Sequence, residues 1–128
     1  MKEYKGIEYQ SYVNTDLGHF CGYVKLPPKH PWIKILTKQK KIKLYGGNSL
    51  KVRDYDKLPV TCHGGLTFGE YFAKPFNQWT KGWWIGWDYA HAGDAVASLP
   101  KNKGDKVWTL EEVEEECKRV INQVLNTC

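Results

Sequence analysis

The chain has 128 residues, 41% of them hydrophobic and 26% charged, with four cysteines and a formal net charge of +5. This length fits a single domain, residues 1–128, with a sizeable hydrophobic core. No apolar run approaches the roughly 20 residues that cross a bilayer, which excludes a membrane-spanning protein, and the first residues lack the apolar segment of a secretory signal peptide. We therefore expect a cytoplasmic protein with no membrane partner and with reduced cysteines.

Positive charge is concentrated in one region of the chain. Residues 25–57 contain ten Lys or Arg and two Asp, a local net charge of +8, so the remaining residues together carry −3. A basic surface attracts phosphate groups and acidic partners. The basic stretch 34–57 is therefore one candidate surface for binding nucleic acid or another protein.

The N-terminal residues predict β-structure. Residues 4–13 mix aromatic, β-branched and polar side chains in a way that predicts one or two short strands, and residues 14–18 predict a turn. The aromatic and β-branched run 19–26 predicts a further strand, which ends at Pro27.

A short helix and a basic segment are expected next. Pro31 favours the first turn of a helix, which predicts a helix over residues 32–36. Residues 37–59 combine several lysines with the pair Gly46-Gly47 and contain few large apolar side chains. This pattern predicts an exposed basic loop or hairpin.

Two more strands are expected in the centre of the chain. Residues 60–63 and 82–88 are apolar runs that predict short buried strands, with the aromatic-rich stretch 70–81 as the connection between them. Residues 88–104 are rich in Ala, Gly, Pro, Asn and Lys, which predicts an irregular segment.

The C-terminal helix has the clearest sequence pattern. Thr109 and Glu112 form a capping box, which predicts a helix from Leu110 to about Asn126. One face of this helix is apolar, as is typical of a helix that packs on a sheet. The apolar stripe consists of Val113, Cys117, Val120, Ile121, Val124 and Leu125. Strands followed by one packed helix predict an α+β fold with a mostly antiparallel sheet.

The sequence His63-Gly64-Gly65 is the first candidate site motif. Paired glycines let the backbone approach a ligand closely, and successive N–H groups there can cradle an anion beside the imidazole. The alternative is a hairpin turn or bulge next to a hydrogen-bonded core histidine.

Asp88, His91 and Asp94 form the second candidate motif. Two carboxylates and an imidazole at three-residue steps can bind a divalent metal, or act as a general base with its orienting partners. The alternative is structural: Asp88 caps the turn after its strand, and Asp94 accepts backbone hydrogen bonds in the loop. No cofactor is predicted, and a divalent metal is one option. We expect the two motifs to form the two walls of one pocket.

Aromatic residues are concentrated around these motifs. Nine of the eighteen aromatic residues fall between Phe68 and Tyr89. Alternation along the strand 82–88 places Trp84 on the face opposite Trp83 and Trp87. We therefore expect Trp84 outside the main core, either as an exposed platform on which a base stacks or in the interface of a homodimer.

A zinc site is a minor alternative. His19, Cys21, Cys62 and His63 are of the right residue types, but their spacing is not that of structural zinc motifs. The chain also lacks the patterns of a nucleophile elbow, a P-loop and a dinucleotide-binding fingerprint.

Five segments of the chain together resemble a family of small bacteriophage proteins. They are His-x-Cys-Gly-Tyr-Val at 19–24, a Pro-rich His-Pro segment at 27–31, a His-Gly-Gly-Leu-Thr box at 63–67, a Trp-Trp-x-Gly-x-Asp-x-Ala-His-Ala-Gly-Asp box at 83–94 and an acidic helix at 109–126. Cys62, Trp87 and the lysine-rich stretch 34–57 depart from the family pattern. The resemblance implies a phage accessory protein in the host cytoplasm. By analogy with small phage proteins that sequester nucleotide immune signals, it also implies a counter-defence role.

Three functions fit these residues. The first is a counter-defence protein that binds a nucleotide-like or other anionic small ligand through His63, Gly64, Gly65, Thr67, Trp84, Asp88, His91 and Asp94. The second is a hydrolase, with or without a metal, whose candidate catalytic residues are His63, Asp88, His91 and Asp94. The third is an inhibitor that binds nucleic acid or a host protein, such as a defence component, through the basic stretch 34–57.

Overall fold

The computed structural model describes residues 2–15, 18–97 and 99–127, so Cys128 and two positions of the turn predicted at 14–18 lie outside the described residues. Within the described residues the fold is α+β. A five-stranded antiparallel sheet carries the C-terminal helix, and a two-stranded antiparallel sheet stands apart from it. The predicted fold class is confirmed.

The elements follow one another along the chain with short connections. The strands are β1 (Lys2–Tyr4), β2 (Ile7–Asn14), β3 (His19–Lys25), β4 (Gln39–Lys43), β5 (Ser49–Arg53), β6 (Phe68–Phe72) and β7 (Gly82–Asp88). The helices are α1 (Pro31–Leu36), a 3₁₀ turn (Tyr55–Lys57) and α2 (Leu110–Thr127). In the larger sheet the strand order is β1-β2-β3-β7-β6, so β7 lies between β3 and β6.

Helix α2 covers one face of the larger sheet. The predicted capping box is present, because the backbone N of Thr109 donates to Glu112 Oε1 at 3.1 Å and the backbone N of Glu112 donates to Thr109 Oγ1 at 3.3 Å. The predicted stripe faces the sheet, with Leu125 only partly buried and its other five members buried. No helix in the described part of the chain is long and apolar enough to span a membrane.

A smaller aromatic core occupies the other face of the sheet. Trp84 has 0% of its surface exposed and packs against Trp79, with ring centroids 5.2 Å apart. Its indole N–H donates to the carbonyl of Thr80 at 2.9 Å. Trp84 therefore lies outside the main core, as expected, but it is not an exposed platform. The chain just before β7 folds over this face and brings Trp79 onto it, so Trp84 has no open surface on which a base could stack.

One strand prediction in the centre of the chain is wrong, and one predicted connection contains part of a strand. Residues 60–63 form no strand, because the backbone N–H and carbonyl of Thr61 bond to the side chain of Gln123 on α2, at 2.7 and 2.8 Å, and not to a neighbouring strand. The stretch 70–81 is more than a connection, since β6 begins at Phe68 and pairs with β7. The predicted strand at 82–88 is confirmed.

The basic segment is a hairpin, as predicted. Strands β4 and β5 pair only with each other, with Lys41 opposite Lys51 in the register. Acidic neighbours compensate part of its charge: Lys40 Nζ lies 2.6 Å from Asp56 Oδ2, and Arg53 Nε lies 3.3 Å from Glu70 Oε2.

Candidate functional site

The segment before β6 brings His63 to the site on a glycine turn. The backbone N–H of Gly65 donates to the carbonyl of Cys62 at 3.0 Å, and Gly64 and Gly65 have φ angles of +68° and +80°. A turn and a hydrogen-bonded His63 are present, as in the alternative, but no strand precedes the turn and His63 is only partly buried, so this is not a hairpin next to a core histidine. Both glycines remain exposed, so their backbone is open to a ligand.

Asp94 holds His63 in place. Its side chain is only 3% exposed. Asp94 Oδ2 accepts hydrogen bonds from His63 Nε2 at 2.8 Å and from the backbone N of His91 at 3.0 Å, while Oδ1 accepts from Trp108 Nε1 at 2.7 Å. Burial alone would raise the pKa of Asp94, but the hydrogen bonds from His63, Trp108 and the His91 backbone outweigh it and lower the pKa. Asp94 is thus ionised at neutral pH and can only accept, so the proton is on His63 Nε2 and Nδ1 is the ring nitrogen left for chemistry.

Asp88 and His91 form a second pair beside the first. His91 Nε2 lies 3.2 Å from Asp88 Oδ1, but out of alignment for a hydrogen bond. Asp88 Oδ1 accepts from the backbone N of Ala90, and Oδ2 accepts from Thr67 Oγ1, both at 3.1 Å. The turn-capping role expected as the alternative for Asp88 is therefore present. So is the backbone hydrogen bond expected for Asp94, and both carboxylates remain next to a histidine.

The two motifs lie against each other, as expected. The imidazole of His91 packs on Gly64 so closely that a Cβ at this position would lie 2.2 Å from His91 Cδ2. The ring centroids of His63 and His91 are 5.7 Å apart. We call His63, Asp88, His91 and Asp94 the histidine–aspartate cluster: two imidazoles, each beside a carboxylate, at the surface end of β7.

Two aromatic residues that the sequence interpretation left out support this cluster. His63 stacks on Tyr89, with centroids 4.6 Å apart and planes 6° apart, and it meets Trp108 edge-on at 4.8 Å. Tyr89 is itself held by a hydrogen bond from Trp87 Nε1 to its hydroxyl at 3.1 Å. A sequence signal for Trp108 exists, since an aromatic residue directly before the N-cap Thr109 occupies the outer position of a hydrophobic staple.

A cavity of about 470 Å³ adjoins the cluster, and Tyr89 and Trp108 form part of its wall. Most of its lining is apolar; His19 and Lys101 are the basic side chains among the described residues of its wall. His19 is 7% exposed, and its Nδ1 has no hydrogen-bond partner within the described residues. None of the predicted ligand-binding residues lines this cavity. This cavity therefore lies beside the two motifs, across Tyr89 and Trp108.

The candidate metal ligands do not converge. Within residues 2–15, 18–97 and 99–127, no group of three or more His, Cys, Asp or Glu side chains is arranged to hold a metal ion. Asp94 turns towards Trp108 while Asp88 turns towards Thr67, so the trio with His91 does not close on one point. Burial raises the pKa of the Cys62 thiol to about 12. Cys62 is therefore protonated at neutral pH and is a poor nucleophile.

Comparisons of this chain with family models, with curated proteins and with solved structures find no match. The resemblance to phage proteins accordingly depends on the five motifs alone. A function must be inferred from the chemistry of the histidine–aspartate cluster and of its surroundings.

Proposed function

We propose that this protein binds a small anionic ligand of the nucleotide class at the histidine–aspartate cluster and the adjoining cavity. One observation carries the proposal: the same two rings, Tyr89 and Trp108, support His63 and line the cavity. A nucleotide has a phosphate that needs hydrogen-bond donors and a planar base that needs apolar walls. Both kinds of surface meet at these two rings, and the cavity has the size of a typical small-molecule site.

Hydrogen-bond donors at the cluster support an anionic group there. The ring of His91 carries an N–H group, the kind of donor from which a phosphate oxygen accepts, and Asp94 holds the neighbouring His63 in place. The exposed backbone of Gly64 and Gly65 lies next to His91. Lys106 Nζ lies 4.3 Å from the centroid of the Trp108 ring, and Glu112 Oε2, at 2.6 Å, compensates its charge.

The biological role that we propose follows from the motif resemblance. In this role the protein is a phage accessory protein in the host cytoplasm, where it counters defence by holding a nucleotide immune signal. Sequestration needs no turnover, which agrees with the protonated thiol of Cys62 next to the cluster being a poor nucleophile.

Native mass spectrometry of the protein purified from a defended bacterial host tests the proposal. We expect a retained mass in the nucleotide range that is lost in His91→Ala and in Asp94→Asn and kept in Lys103→Ala, a variant of an exposed loop residue. Circular dichroism of all variants checks that the fold is intact. A bare chain in the wild type, or retention of the ligand in both site variants, would contradict the proposal.

A hydrolase is the second candidate, and the bond between His63 and Asp94 favours it. A buried carboxylate that fixes the tautomer of a histidine is the arrangement that orients a general base. A hydrolase predicts that linear and cyclic nucleotides incubated with the protein are cleaved, and that His63→Ala and His91→Ala each abolish cleavage while binding survives. Sequestration predicts that the same nucleotides are recovered intact by chromatography.

A further inference from the structure

A groove of about 550 Å³ lies at the start of β7, separate from the histidine–aspartate cluster and from the cavity beside it. Its walls include the three lysines Lys25, Lys29 and Lys81 and the apolar side chains of Ile33, Tyr71 and Trp83. No carboxylate belongs to the lining. We call it the lysine groove.

The positive charge of the lysine groove is mostly uncompensated. Lys25 Nζ lies 3.4 Å from Glu8 Oε2 and is paired. Lys29 and Lys81 make no ion pair within the described part of the chain. Two cations next to apolar walls, with no acidic side chain among them, complement a ligand that is both anionic and aromatic.

The aromatic wall provides a surface for stacking. Tyr71 and Trp83 are partners in the register of β6 and β7, and their ring centroids lie 5.2 Å apart. Tyr71 is 42% exposed, and Arg53 from the basic hairpin lies over Trp83 at 4.9 Å. Arg53, which also pairs with Glu70, covers part of Trp83, so the exposed ring of Tyr71 provides the stacking surface.

The backbone at Lys29 gives an independent indication. Its φ angle is +65°, a left-handed conformation that disfavours a side chain and suits glycine. Strained positions of this kind often belong to binding sites. This left-handed position is occupied by lysine and not by glycine, and the lysine side chain lines the groove.

We propose that the lysine groove binds single-stranded nucleic acid. One base stacks on Tyr71, and the neighbouring phosphates contact Lys29 and Lys81. A duplex hides the faces of its bases, and an acidic peptide has no planar group for the aromatic wall, so the single strand is the occupant that uses both features. The groove shares no residue with the proposed ligand site, and the inference stands without that function.

Fluorescence anisotropy of a labelled 12-nucleotide oligo-dT tests this inference. We expect binding at 50 mM salt that weakens at 200 mM, because each phosphate contact adds about −0.7 to the slope of log affinity against log salt. Lys81→Ala is expected to remove one phosphate contact and so to make this slope less steep by about 0.7. Tyr71→Ala is expected to weaken binding about 5- to 150-fold, and Lys103→Ala, which removes the same charge elsewhere, leaves it unchanged.

Lys29→Gly separates binding from folding. Glycine relieves the left-handed conformation, so the melting temperature is expected to stay level or rise while the affinity for oligo-dT falls. No binding at 50 mM salt, or an equal loss in Lys103→Ala, overturns the inference. The inference is also overturned if a duplex or polyglutamate binds as tightly as oligo-dT and Tyr71→Ala does not weaken that binding. If His91→Ala abolishes binding of oligo-dT, the strand occupies the histidine–aspartate cluster and the groove assignment fails.

Discussion

Gly64 offers the sharpest test of the packing between the two motifs. An alanine Cβ at this position would lie 2.2 Å from His91 Cδ2 and 2.3 Å from His91 Nε2, which is far inside van der Waals contact. Gly64→Ala must therefore displace the His91 ring. Gly65 provides a matched control, because its φ of +80° is also left-handed but a Cβ there meets nothing within 4 Å.

The two substitutions differ in one energetic contribution. Alanine in a left-handed conformation costs about 1 kcal/mol, which we expect for Gly65→Ala. Overpacking adds about 1 to 3 kcal/mol, so Gly64→Ala is expected to lower the free energy of unfolding by about 2 to 4 kcal/mol. In a His91→Ala background the overpacking contribution disappears, and Gly64→Ala then costs about as much as Gly65→Ala.

Urea denaturation of the wild type, the three single variants and the double variant measures these differences. NMR of the imidazole nitrogens reports whether His91 has moved, and only Gly64→Ala is expected to shift its resonances strongly. Equal stability losses for Gly64→Ala and Gly65→Ala, with the His91 resonances unchanged, would refute the packing of His91 on Gly64.

The remaining predictions concern charge, the second core and the helix cap. The lowered pKa of Asp94 means that its ionised form stabilises the fold above the ordinary carboxyl value of about 3.9, and that this stability is lost as the pH falls through the folded pKa. Asp94→Asn should therefore reduce stability at pH 7 by about 1 to 3 kcal/mol and make urea midpoints less dependent on pH in acid; an unchanged midpoint at pH 7 would contradict this. Trp84→Ala should lower the free energy of unfolding, measured in urea, by about 3 to 5 kcal/mol, and the folded molecules should keep their affinity for nucleotide. If Trp84 instead stacked on the ligand, the variant would lose affinity with little loss of stability. Thr109→Ala should lower the free energy of unfolding by about 1 kcal/mol, and a loss below 0.3 kcal/mol would argue against the capping box.

Sequence patterns predicted the elements that are stabilised by interactions between residues close together in the chain. The capping box at Thr109, the apolar stripe of α2 and the proline at the start of α1 depend on neighbours a few residues away, and all three are present. The proximity of the two motifs was also predictable, because both are short segments rich in glycine and histidine, which suggested that they belong to one site. The prediction of a strand at 60–63 was wrong, because the side chain of Gln123 on α2 bonds to the backbone N–H and carbonyl of Thr61. No local sequence pattern encodes this long-range partner.

The surroundings of the site could not be predicted from the motifs. Alternation along β7 correctly placed Trp84 opposite Trp87, but it could not reveal that Trp79 folds back to cover Trp84. Trp108 lies 14 residues after Asp94 and meets it only in the folded chain, through a hydrogen bond at 2.7 Å. Contacts between residues far apart in the sequence depend on the whole topology. The packing of Tyr89 and Trp108 around His63, and the cavity beside them, could therefore be seen only in the structure.

The central claim is that nucleotide-class ligands bind at the histidine–aspartate cluster. NMR of the imidazole nitrogens, during titration with a panel of ribonucleoside monophosphates and cyclic dinucleotides, tests it most directly. His30 is a built-in control, because it is 3% exposed and bonds through Nε2 to the carbonyl of Val124 at 2.8 Å. The account predicts saturable shifts of His63, His91 and the Trp108 indole with at least one nucleotide, while His30 stays fixed. Unchanged histidine resonances across the whole panel would contradict it.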